Sequence, residues 1–287
     1  MRLISAFIQS NIYISLAAVA LTVATQVQLG MRPQWHPYLF IIFFATLFEY
    51  NLHRLITVLT NKDALKSEKH RWVNENLKAF YLLVFISVVG FGVVALLANK
   101  EVMITFAPIA TITLFYSIPV SGNRRHLFRL REIPYLKIFV IAAVWSASTL
   151  LLPIVQSSET FSQKHILLML TERFFFILAI TIPFDIRDLE ADRDQELKTL
   201  PMLLGEKISI QLSYIFLLIF LLISAFHYTP VKEWTMLAAM SLSGITTYFF
   251  LKMNCFRNIP FYHYGILDGT LMLQGILIII FGCITFS

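Results

Sequence analysis

Residues 174–194 read FFFILAITIPFDIRDLEADRD. From Phe174 to Phe184 the stretch carries no charge and suits a membrane interior. Directly after it come Asp185, Asp188 and Asp192. Residues at i, i+3 and i+7 share one helix face. Three anions on one face repel one another unless a cation sits among them. The alternative, a solvated helix end, is weakened because acids at a helix C-terminus oppose its dipole. Carboxylate oxygens without Cys or His suit Mg²⁺, which commonly takes phosphate oxygens as further ligands. The stretch therefore predicts a membrane helix that ends in a Mg²⁺–diphosphate site at the membrane boundary.

The rest of the chain agrees with a membrane setting. It is 57% hydrophobic and 14% charged over 287 residues, with a mean hydropathy of +0.72. A soluble domain carries about 25% charged residues. Against roughly 20 apolar residues per span, nine helices are expected: about Ile12–Leu29, Tyr38–Leu59, Ala79–Ala98, Val102–Ile118, Ile133–Pro153, Ile166–Phe184, Ile208–Tyr228, Trp234–Leu251 and Gly265–Phe286. No linker divides them, so residues 1–287 read as a single domain. The fold class is all-α, a polytopic membrane helix bundle. The sixth helix carries Glu172 and Arg173 near its start. These are adjacent and do not face each other, so they lie at headgroup level or line a cavity.

Orientation follows from Lys and Arg in the loops. One side carries Arg2, Lys62, Lys66, Lys69, Arg71, Arg124, Arg125, Arg129, Arg131, Arg187, Arg193, Lys198, Lys207, Lys252 and Arg257. The other carries Arg32, Lys100, Lys164 and Lys232. The N-terminus is therefore expected in the cytoplasm and the C-terminus outside. The net charge of +6 reads as topology and attraction to anionic membrane lipid, not as a nucleic-acid surface. Cys255 and Cys283 fall near opposite membrane surfaces, too far apart to bridge. The first apolar segment is longer than a signal-peptide core and lacks a convincing cleavage site, so it is kept as a helix.

The large loops Thr60–Lys78, Pro119–Glu132 and Asp185–Lys207 fall on one side and hold most polar residues. A central cavity under them would open to the cytoplasm. After the acidic run, Pro201 and Gly205 mark a structured turn, and Lys198 and Thr199 are candidates for phosphate contact. Taken together, Asp185-Ile-Arg-Asp188-Leu-Glu-Ala-Asp192-Arg and Lys198-Thr-Leu-Pro-Met-Leu-Leu-Gly205 resemble the second aspartate-rich motif of the UbiA superfamily of intramembrane prenyltransferases. The helix count and loop placement fit the same family. Softer matches are Tyr116 at the end of helix four, and Lys137 and Trp145 on helix five.

The resemblance implies two Asp-rich motifs that hold Mg²⁺ on a substrate diphosphate. The first would fall at residues 51–59. There Asn51 matches, but the aspartate positions hold Leu52, Leu55 and Leu59. Glu49, His53 and Arg54 stand nearby at a depth where polar groups are costly. Arg54 is a permanent, fork-shaped cation suited to diphosphate, so it is expected to replace one metal. A structural Glu–His or Glu–Arg pair between helices is the alternative. Tyr116 is a candidate to shield a carbocation with its ring, or an interfacial anchor. Lys137 reaches phosphate or snorkels. Asp268 and Tyr264, at i and i+4, are placed to pair, or Asp268 binds an acceptor.

The resemblance thus implies an enzyme that ionises an isoprenyl diphosphate and transfers the prenyl group to an aromatic or other lipid-soluble acceptor. Asp185, Asp188 and Asp192 would hold Mg²⁺ and, with Tyr116, carry catalysis. Asn51, Arg54, Lys137, Arg187, Lys198 and Asp268 would bind substrate. A terpene cyclase of the same superfamily and a non-catalytic isoprenoid-binding protein remain open. A transporter is disfavoured, since no internal repeat or pair of broken helices is evident.

Overall fold

The computed structural model describes residues 2–60, 68–118, 120–121, 127–128, 130, 133–157, 159–194 and 197–284. Its helices are α1 (Arg2–Gln9), α2 (Ile12–Gln28), α3 (Pro37–Thr60), α4 (Glu68–Glu75), α5 (Leu77–Leu97), α6 (Lys100–Ser117), α7 (Lys137–Gln156), α8 (Gln163–Arg187), α9 (Leu189–Asp194), α10 (Leu200–Leu204), α11 (Glu206–Tyr228), α12 (Trp234–Lys252), α13 (Asn254–Arg257) and α14 (Asp268–Cys283). A π-helical turn, Tyr262–Leu267, leads into α14. Strands β1 (Val120–Ser121) and β2 (Leu127–Phe128) form one short antiparallel pair. Lys62, Lys66, Arg124, Arg125, Arg129 and Arg131, which bear on orientation, lie outside the described residues.

Each of the nine expected segments corresponds to a long helix. Among the described residues, seven helices are long and apolar enough to cross a membrane, and eight if α1 and α2 form one bent span. The remaining helix, α6, is 18 residues long and begins with Lys100 and Glu101. The bend between α1 and α2 measures 66°. It turns on Asn11, whose φ of 64° is left-handed, a conformation that Asn tolerates better than most residues. The turn expected at Pro201 and Gly205 is present. Pro201 opens α10, and Gly205 adopts φ 78° before α11.

The helices close into a ring. Contacts run from α3 to α2, α14, α12, α11, α8, α7 and α6, and back to α3, with α5 packed on α3. In lipid no hydrophobic force draws such helices together, so close packing and buried polar contacts must do so. Gly275 shows the first device: a Cβ there would stand 2.7 Å from the Ala20 backbone, so glycine lets α14 lie directly on α2.

Glu172 and Arg173 show the second device, and they correct a sequence expectation. They do not line the cavity but are buried inside the bundle, 0% and 4% exposed. Arg173 donates to Thr25, Thr149 and Gln28 at 2.7, 3.0 and 2.9 Å. Glu172 meets His227 Nδ1 at 2.8 Å, and His227 Nε2 meets His165 at 2.8 Å. Side chains of α2, α7, α8 and α11 are thus tied into one network. Buried charges persist only when partnered in this way.

Candidate functional site

The ring encloses a cavity of about 1350 Å³. On one wall, the end of α8 and α9 carries the acidic run. The Asp188 N–H caps α8 by donating to Phe184 O at 3.0 Å, and Asp192 N donates to Asp188 O at 2.8 Å. The run is therefore helical on either side of one turn residue, Asp188, which joins α8 to α9. Asp185, Asp188 and Asp192 all line the cavity, and Asp185 and Asp192 are each 3% exposed.

A cation does sit among these anions, and it is Lys137. Its Nζ lies 2.8 Å from Asp185 Oδ1 and 3.1 Å from Asp192 Oδ2. Lys137 is therefore neither snorkelling nor alone; the first residue of α7 binds the end of α8 to α9. Asp188 instead takes a two-point hydrogen bond from its neighbour Arg187, 2.7 Å at both Nε and Nη2. Among the described residues no three His, Cys, Asp or Glu side chains are grouped as a metal site. The donor set nonetheless fits a hard divalent ion. Two carboxylates already converge on one positive atom, and the third stands one helical turn away on the same wall.

Arg187 extends this wall. Its guanidinium lies 4.6 Å from the ring centre of Tyr264 and 5.1 Å from that of Phe184. Its buried Nη1 has no hydrogen-bond partner among the described residues. A buried donor left unpaired is costly, so this atom is suited to an anionic ligand. Arg54 faces the same Tyr264 ring at 5.7 Å. It is buried and donates to the Gln9 carbonyl. The two arginines thus share one tyrosine, supplied by the π-helical turn. Such turns are frequent at functional sites.

Helix α3 lines the cavity with Ile42, Ala45, Thr46, Phe48, Glu49, Tyr50, His53, Arg54 and Thr57. These positions repeat at helical spacing and form one face. Leu52, Leu55 and Leu59 are not among the lining residues. Leu55 packs with Val58, Val73 and Phe80, and Leu59 is 58% exposed. Glu49 accepts from Ser117, while Arg54 turns to Gln9 and Tyr264. Glu49 and Arg54 do not pair with each other.

Two expected substrate-binding residues stand elsewhere. Asn51 is fully buried outside the cavity lining. It accepts from Asn11 at 2.9 Å and donates to Ser10 O and Leu47 O at 3.1 and 2.8 Å. Its polar atoms hold the α1–α2 bend against α3. Lys198 has an exposed side chain outside the lining, and its carbonyl accepts from Tyr135 N at 2.9 Å. Tyr116, Asp268, Arg54, Lys137 and Arg187 all line the cavity. Tyr50 was not anticipated. It packs edge-on to Trp145 at 6.4 Å, and its place one helical turn before Arg54 was the available signal.

The model of the UbiA prenyltransferase family matches residues 62–258. No curated protein matches the chain in sequence. A UbiA homologue from Aeropyrum pernix K1, solved in its apo form, superposes with a TM-score of 0.65 at 13% identity, over 96% of this chain and 98% of that one. A UbiA homologue from Archaeoglobus fulgidus bound to GPP and Mg²⁺ gives 0.59 at 14% identity, over 94% and 99%. A structure of digeranylgeranylglyceryl phosphate synthase gives 0.55 at 12% identity, over 96% of each chain.

Proposed function

The chain is an integral multi-pass membrane protein of the UbiA prenyltransferase family, and from that premise we propose that it ionises an isoprenyl diphosphate with Mg²⁺ and passes the prenyl group to a lipid-soluble acceptor. One observation carries this reading. The Asp185–Lys137–Asp192 cluster and the unpaired Nη1 of Arg187 line one cavity. The binding of GPP and Mg²⁺ by the Archaeoglobus fulgidus relative supports it.

In this reading Asp185, Asp188 and Asp192 hold the metal. Bound there, Mg²⁺ would neutralise the diphosphate and ease departure of the leaving group. Arg187 and Arg54 take diphosphate oxygens and the charge that builds on them as the C–O bond opens. Fixed donors in a site closed to water are strong stabilisers of such charge. The rings of Tyr50, Tyr116 and Trp145 line the cavity and would offer their faces to the allylic cation, while Phe184 and Tyr264 stack on the arginines. The apolar tail lies along Ile42, Val140, Ile141 and Val144. Arg54 then serves as a positive charge built into the chain on the α3 side. Residues 1–287 act as one unit, and the cavity mouth faces the cytoplasm, as the loop charges favour.

The test is turnover by purified protein. Farnesyl and geranylgeranyl diphosphates are supplied with Mg²⁺, with and without aromatic acceptors, and products are read by mass spectrometry. Acceptor-dependent prenyl adducts are expected. A cyclic hydrocarbon or alcohol formed without acceptor would assign the cyclase reaction instead.

A further inference from the structure

The cavity has a second polar wall that diphosphate chemistry does not use. Glu49 and His53 lie at i and i+4 on α3, and Ser117 closes α6 opposite them. All three line the cavity. The Ser117 hydroxyl donates to Glu49 Oε1 and lies 3.4 Å from His53 Nδ1. We propose that Glu49, His53 and Ser117 form the acceptor site, that the acceptor carries a hydroxyl group, and that Glu49 takes its proton. This rests on the prenyl-transfer reading above.

Three arguments converge. The first is charge. A carboxylate repels a diphosphate, so this wall is unfavourable for the first substrate and favourable for a hydrogen-bond donor. An ionised carboxylate only accepts, with about four lone-pair sites; Ser117 uses one, which leaves capacity for an acceptor O–H.

The second is space. Pockets for one small ligand run to about 300–1,000 Å³, and this cavity is about 1350 Å³. Phe91, Phe106, Ile109 and Leu114 of α5 and α6 add an apolar lining to the same cavity. The acidic run and Arg187 belong to α8 and α9. Arg54 of α3 joins Arg187 at Tyr264, and the cavity has room for a second substrate beside the first.

The third is cost. Ionisable groups inside membrane helices are expensive and face functional interiors. The Glu172 network holds helices together outside the cavity; the Glu49 trio faces into it.

The step balances without a redox partner. The bond between C1 of the prenyl group and the diphosphate oxygen breaks, and its electron pair leaves on the diphosphate. The acceptor supplies an electron pair to C1, and its hydroxyl proton passes to Glu49. The Ser117 hydroxyl holds the carboxylate in place.

The experiment uses full-length protein with geranylgeranyl diphosphate and Mg²⁺. The acceptor probes are 1-naphthol and 1-decanol, each compared with its methyl ether. Wild type should prenylate at least one hydroxyl probe and neither ether. Glu49→Gln should lower the acceptor-dependent product by about 10²–10⁴-fold, the range of a lost proton acceptor, and Glu49→Asp should recover part of it. The selectivity of wild type for hydroxyl over ether needs no variant and stands if Glu49→Gln does not fold. Ethers used as well as alcohols, a folded Glu49→Gln as active as wild type, or diphosphate release with neither hydroxyl probe prenylated would each overturn the acceptor assignment alone. No diphosphate release from wild type under any condition would overturn the prenyl-transfer reading, and this proposal with it.

Discussion

The Lys137 ammonium lies 2.8 Å from the Asp185 carboxylate, and the same nitrogen reaches Asp192 at 3.1 Å. Both carboxylates are nearly removed from solvent. A cation of the chain therefore stands where the spacing of the acidic run called for one. Lys137 and a divalent ion are rivals for the same oxygens, unless the lysine turns toward phosphate when substrate enters.

Removing Lys137 exposes that rivalry. In Lys137→Met, Asp185 and Asp192 lose their partner, and breaking a buried pair costs about 3–5 kcal/mol. The variant should melt below wild type in detergent. Added Mg²⁺ should raise its melting temperature more than that of wild type, because the ion refills the gap. Equal Mg²⁺ shifts in the two proteins would count against a metal site here.

Arg54 and Asn51 are three residues apart on α3, and their substitutions should fail differently. Arg54→Ala removes a cation from the cavity wall and should weaken binding of geranylgeranyl diphosphate by about 10–100-fold, the value of a charged hydrogen bond. Asn51→Ala unties the α1–α2 bend and should lower thermal stability instead. Equilibrium binding and melting curves on both variants separate the two roles.

The Glu172–Arg173 network should matter for stability and not for chemistry. Arg173→Met leaves Glu172 and His227 without their neighbouring charge at the heart of the bundle, again at about 3–5 kcal/mol. Neither Glu172 nor Arg173 lines the cavity. The protein that remains folded should release diphosphate at the wild-type rate, and a proportional loss of rate would place the network in catalysis.

Cys255 and Cys283 are exposed and free, and they report topology without engineering. Cys255 lies in α13, near the π-helical turn, and Cys283 ends the 16-residue α14. At 1.5 Å per residue that helix alone spans about 24 Å. A membrane-impermeant maleimide should label Cys283 from outside and Cys255 only in inverted vesicles. The opposite pattern would place the cavity mouth on the outer side.

The parts of this architecture that depend on local periodicity were legible in the sequence. The apolar segments, the face shared by Asp185, Asp188 and Asp192, and the turn at Gly205 all follow from spacing and residue chemistry. The cavity face of α3 was also written there, since Thr46, Tyr50, Arg54 and Thr57 recur at helical spacing beside Glu49 and His53. The register set by Asn51 points to Leu52, Leu55 and Leu59, and none of these lines the cavity. Partners set by packing were not legible. Lys137 is 55 residues from Asp192 in sequence, and only the contact of α7 with α8 brings them together. The same holds for Arg173, whose partners come from α2 and α7, and for the two arginines that meet at Tyr264.

The central claim is that this cavity ionises an isoprenyl diphosphate with a metal held by the acidic run. The most direct measurement is release of inorganic diphosphate from geranylgeranyl diphosphate by the purified protein, as a function of Mg²⁺, for wild type and for Asp188→Asn combined with Asp192→Asn. Release that requires Mg²⁺, stops with chelator and is lost in the double variant is the predicted result. Tight binding of geranylgeranyl diphosphate by intact wild type, with no diphosphate released at any Mg²⁺ concentration, would contradict it.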